Sequence, residues 1–225
     1  MNHATTYKTE ARIFGVFFIV AFLAYGTGSA LIKSIAGAPD ILSSVYAHQT
    51  LFVVGAILMA VVHTFTNIGL PVVLYPVLKP YNQIFYFGYL SAAIVANVIL
   101  VFGVIFLLLL LPLSDEYVRS GSVITGPLET MALVLRKGGF FSYQLGMVIW
   151  GLGGLLFCTI LYQSKIVPRL MSIWGMVGYI VFISGAILEI FGYEVGLFLD
   201  GPGGLFEIAL SLWLIVRGFR SAGVK

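Results

Sequence analysis

The chain has 225 residues, of which 60% are hydrophobic and only 9% charged, with a net charge of +3. A soluble domain carries about 25% charged residues, so this chain cannot cover a water-facing surface. Its apolar richness, with a mean hydropathy of +1.05, equally excludes disorder. An integral membrane protein with several spans is the class that remains.

A spanning helix needs about 20 mostly apolar residues. Six segments qualify: 12–33, 48–74, 83–111, 140–163, 168–192 and 203–219. Barrel strands are shorter and alternate in polarity, and residues 95–111 show no alternation. The expected fold class is therefore all-α: a polytopic membrane bundle of six transmembrane helices forming a single transmembrane domain.

Lys8 and Arg12 precede the first span, and Ala36-Gly37-Ala38 looks like a cleavage site. The apolar stretch is longer than the 7–15 residues of a cleaved signal, so the first span reads as an uncleaved helix. Ala24-x-x-x-Gly28 and Gly26-x-x-x-Ala30 on it predict close helix contacts. The second span carries His48 at its start, His63 and Asn67 four apart on one face, and Pro71 and Pro76, which predict a kink or an end. Asn97 lies at a depth on the third span comparable to His63, so a buried His–Asn contact is expected as structural glue.

After the third span comes the longest loop, 112–139. Residues 127–137 read as a short interfacial helix. Thr125 can cap it, Pro127 suits its first turn, Arg136 and Lys137 favour its last, and Gly138 can end it. The fourth span is rich in glycine and holds Cys158. A lone thiol among apolar residues is a packing residue, and it can form no disulfide within the chain. Glu189 falls about three residues from the end of the fifth span. Glu207 falls about four residues inside the sixth, which opens Asp200-Gly201-Pro202-Gly203-Gly204. A short span interrupted by Gly and Pro points to a binding site in transporters.

Basic residues set the orientation. With the N-terminus in the cytoplasm, the inner segments hold Lys8, Arg12, Lys79, Lys165, Arg169, Arg217, Arg220 and Lys225, opposed only by Glu10. The outer segments are mildly acidic. Both termini are expected to be cytoplasmic. The net positive charge thus follows from topology and is not a nucleic-acid signal.

An ionisable group within a span costs about 2.5–3.5 kcal/mol at the centre on insertion scales and marks function by default. Glu189, Glu207 and His48 are the expected ligand- or ion-binding residues. The two carboxylates are expected to share one outward-facing site on an antiparallel hairpin. His63, Asn67 and Asn97 are the expected buried polar set. The sequence holds no HExxH, GxSxG or Walker loop, and no Cys/His spacing that binds metal. No catalytic residue, metal or cofactor is expected, and an enzyme is the less favoured reading.

Several short motifs run along the chain: Ala11-Arg12-Ile13-x-Gly15, Leu74-Tyr75-Pro76-x-Leu78, Gly88-Tyr89, Pro168-Arg169, Trp174-Gly175 with Gly178, Leu205-Phe206-Glu207, and Leu212-Trp213-Leu214-Ile215-Val216-Arg217-Gly218. Together they resemble a bacterial multi-pass membrane family catalogued as domain of unknown function 4386. The resemblance implies six helices in a bacterial membrane and brings no activity. That family's pattern places an Arg and a Glu early in the third span, where Ala93 and Ala96 stand here. The expected partners are the lipid bilayer and a small-molecule or cation ligand. The rival readings are a non-catalytic partner subunit or sensor, and a membrane enzyme acting on a lipid or quinone.

Overall fold

The structure, a computed structural model, describes residues 7–121 and 125–220, without the side chains of Thr125 and Leu197. The capping expected of the Thr125 side chain therefore lies outside the described residues. In chain order the helices are α1 (Lys8–Ala36), α2 (Ile41–Ala47), α3 (Gln49–Ile57), a π-turn (Leu58–Val62), α4 (His63–Leu78), α5 (Gln83–Leu108), α6 (Leu110–Arg119), α7 (Thr125–Ser164), α8 (Arg169–Ile190) and α9 (Gly196–Val216). Six stretches are long and apolar enough to cross a membrane: Lys8–Ala36, Gln49–Leu78, Gln83–Arg119, Gly126–Ser164, Arg169–Ile190 and Phe198–Val216. The protein is an all-α, multi-pass membrane protein with six transmembrane helices.

Several helix ends depart from the sequence expectation, each for a local reason. The loop after α1 contains α2, because the Asp40 carboxylate accepts the Ser43 N–H at 3.0 Å and caps it. The second span runs through Pro71 and Pro76 to Leu78. A short helix, α6, follows the third span directly. Residues 127–137 are helical as expected but do not end at Gly138, since α7 continues through them into the fourth span. Gly138 and Gly139 are packing positions: a Cβ on either would press on Phe106 or Leu107 of α5. The sixth helix begins at Gly196, and Asp200 to Gly204 lies inside it.

The chain makes two compact units. One comprises residues 1–20, 66–97 and 144–225, the other 21–65 and 98–143. Each has its own core. In the first, Phe14, Leu70, Leu74, Tyr86, Phe157, Tyr179, Phe206 and Leu210 are buried together. In the second, Leu42, Val45, Phe52, Met59, Val104 and Leu110 are. Lipid tails are as apolar as leucine, so contact between helices here rests on close packing. In the second unit Gly28 and Gly55 face one another, and a Cβ on either would meet the other's carbonyl oxygen within 3.0 Å. Gly26, by contrast, faces open space. In the first unit Gly178 of α8 packs on Pro202 and Gly203 of α9, and Gly15 of α1 packs on Ser211 of α9.

Candidate functional site: a glutamate among aromatic side chains

The α8–α9 hairpin and the second half of α7 build the site in the first unit. Trp150, Gly154 and Cys158 recur every four residues on α7 and so share a face. The gap at Gly154 receives the Tyr179 ring of α8, against which a Cβ would collide. Gly175, one turn before Tyr179, leaves room for Cys158 Sγ and the Phe206 ring. These missing side chains let Tyr179 reach across to Glu207 on α9.

Glu207 Oε1 accepts two hydrogen bonds, from the Tyr179 hydroxyl at 2.8 Å and from Trp150 Nε1–H at 3.0 Å. Both donors are buried, while Glu207 itself is half-buried. Its other oxygen, Oε2, takes no hydrogen bond among the described residues. Aromatic rings surround the group. Tyr179 packs edge-on to Phe206 at 5.9 Å between centroids, Phe18 lies edge-on to Trp150 at 6.2 Å, and Tyr89 of α5 stacks on Phe157 at 5.0 Å. Tyr89 also lies 6.5 Å from Trp150 and within electrostatic reach of Glu207. Its hydroxyl is buried and has no hydrogen-bond partner among the described residues. Among those residues no Lys, Arg or His compensates the Glu207 charge, and the hydrogen bonds to it come from the two neutral donors.

Glu207 stands eleven residues after the first residue of α9, about 16 Å along its axis. It is thus near the middle of the span Phe198–Val216, not close to its edge as the sequence suggested. The depth estimate failed because the sixth span was placed from residue 203, whereas its helix begins at Gly196.

Glu189 is placed differently. Its Oε1 accepts the backbone N–H groups of Val195 and Gly196 at 2.9 and 2.6 Å. It thereby ties the end of α8 to the start of α9 and satisfies two of the donors a helix N-terminus leaves open. With Glu189 at Gly196 and Glu207 about 16 Å further on, the hairpin does not bring the two carboxylates into one site. The expectation of a shared site is corrected accordingly.

His48 belongs to the second unit, at the junction of α2 and α3, exposed, with Nδ1 2.9 Å from the Ser44 carbonyl oxygen. His63, also in that unit, follows the π-turn. Its Nδ1 lies 3.1 Å from the Ala21 carbonyl oxygen, and its ring meets Tyr25 edge-on at 4.9 Å. Tyr25 in turn stacks on Tyr143. Asn67 and Asn97 are buried in the first unit. Asn97 Nδ2 donates to the Ala93 carbonyl at 2.8 Å, one turn back on its own helix, and its Oδ1 is unpartnered. Ala93 and Ala96 are fully buried in the first core, so no ion pair occupies those positions.

Sequence reasoning singled out Glu207 but missed Trp150 and Tyr179. A signal existed for Trp150. It lies far from either end of its helix, whereas membrane Trp residues favour the interfaces. A Trp at such depth needs an acceptor for its N–H.

The family model described as Domain of unknown function (DUF4386) matches residues 13–218. No curated protein and no solved structure matches this chain.

Proposed function

The chain belongs to the family catalogued as domain of unknown function 4386, and on that premise we propose that it binds a small cation or cationic ligand at Glu207. The observation that carries this reading is a carboxylate near mid-span that has two neutral donors and, among the described residues, no basic partner. An uncompensated charge in a span is expensive, so it is retained where it serves a ligand or ion path. Glu189 acts as a structural clamp on the hairpin, and His48 as a local anchor. The membrane is the bacterial inner membrane, with both termini in the cytoplasm. This orientation rests on the basic residues gathered on one set of loops.

The test uses the intrinsic fluorescence of Trp150, whose indole N–H is bonded to the carboxylate. Purified protein in lipid nanodiscs is titrated with acid, sodium, potassium, calcium and tetramethylammonium. The wild type responds to at least one of them, and Glu207→Gln and Trp150→Phe do not. A response of equal size in wild type and Glu207→Gln overturns the reading.

A further inference from the structure

We infer that the species Glu207 binds is a proton, carried on Oε2, and that the buried Tyr89 hydroxyl is its hydrogen-bond partner through one bridging water. This assignment rests on the cation-site reading and narrows it.

Three observations carry it. First, the indole of Trp150 is a donor with no acceptor, so the oxygen it meets must present a lone pair. Tyr179 also bonds to that oxygen. Oε1 is thereby fixed as the carbonyl-like oxygen, and the proton belongs on Oε2. Second, the same donor set suits no metal ion. An alkaline-earth cation takes six or more oxygen ligands, yet two of the groups around Glu207 direct N–H and O–H hydrogens at it. Among the described residues no three His, Cys, Asp or Glu side chains come together to hold a metal. A proton needs one oxygen only. Third, a hydroxyl buried without a partner is rare and calls for one. Tyr89 is such a group, and it stands within electrostatic reach of the carboxylate. A single water bridging the carboxylic acid O–H and that hydroxyl satisfies both.

The step balances simply. Hydronium transfers a proton to Oε2, an O–H bond forms, and water is left; release reverses this with no change of oxidation state. The titratable groups facing Glu207 are Tyr179 from α8, Tyr89 from α5 and Cys158 from α7. From α1, the rings of Phe14 and Phe18 pack against Phe157 and Trp150. None of these is a carboxylate, a histidine or a permanent cation, so among them Glu207 is the group that takes up a proton.

Infrared spectra of the full chain in nanodiscs, recorded between about pH 5 and pH 8, test the assignment. Subtracting Glu207→Gln from wild type leaves a protonated-carboxyl C=O band at the acid end. Tyr89→Phe retains that band at a shifted frequency, because the bridging water has lost a partner. Absence of any such band in the difference spectrum overturns the proton assignment. If a metal or ammonium response in Trp150 fluorescence is nonetheless lost in Glu207→Gln, the cation site itself stands. A band whose frequency is the same in wild type and Tyr89→Phe overturns the role given to Tyr89.

Discussion

Two donors converging on one oxygen make Glu207 sensitive to its own charge. A hydrogen bond to a charged group contributes about 1.5–3 kcal/mol, whereas polar bonds between membrane helices average about 0.6 kcal/mol. Removing the Tyr179 hydroxyl therefore costs different amounts in the two states. Tyr179→Phe is expected to lose about 0.6 kcal/mol at acid pH, where Glu207 is neutral, and more as pH rises and the carboxylate forms. Unfolding of the two proteins in parallel across pH measures this; a loss independent of pH contradicts it. Asp40, outside the spans, shows the same dependence on its own charge. Hydrogen bonding from Ser43, by hydroxyl and backbone N–H, holds its carboxyl below the ordinary range. A depressed folded value means the capping contribution is fully present above about pH 4 and fades as pH falls through the folded value. Asp40→Ala is expected to cost about 1 kcal/mol near neutral pH. That gap should close on acidification, as thermal unfolding would reveal. At this scale the sequence exposes Glu207, because lipid excludes carboxylates. It does not expose Trp150 or Tyr179 as partners, because their pairing depends on helix rotation, which hydropathy does not fix.

The helices themselves were legible where hydropathy sets them and illegible where contacts do. Six apolar runs gave six spans. Their ends depended on side chains elsewhere: Glu189 reaching Val195 and Gly196 starts α9 early, and Phe106 and Leu107 against Gly138 and Gly139 carry α7 through a pair that reads as a terminus. The tight crossing of α7 and α8 gives a sharper test. Gly154→Ala places a methyl against the Tyr179 ring. Overpacking of this kind costs about 1–3 kcal/mol, and here it also displaces the hydroxyl from Glu207. The expected result is a lower melting temperature together with altered Trp150 emission, whereas Gly26→Ala, facing open space, neither lowers the melting temperature nor alters that emission. After α7 the chain turns at Lys165, which has φ 59°. That left-handed conformation costs a side chain about 1–2 kcal/mol. Lys165→Gly is expected to stabilise the protein by several tenths of a kcal/mol, after allowance for the added freedom of the unfolded chain. A destabilised variant would show that the Lys165 side chain itself holds the turn.

Across the whole molecule, the class and span count followed from composition, and the proposed orientation rests on charge. The division into two compact units was not visible, because α1, α4, α5 and α7 each pass from one unit to the other without a break in hydropathy. Orientation is open to direct labelling. Cys158 is fully buried and gives little background. An impermeant maleimide applied to intact cells should label Gly121→Cys and leave Lys79→Cys unlabelled; labelling of both from the same side contradicts the six-span topology. The central claim is that one mid-span carboxylate, Glu207, is the place where this protein meets a cation. The most direct measurement is the melting temperature of wild type and Glu207→Gln between about pH 5 and pH 8, with and without added cations. Glu207→Gln keeps an oxygen for Trp150 and Tyr179, so it should fold, and its melting curve should lose the pH or cation dependence that wild type shows. Parallel curves for the two proteins under every condition would contradict the account.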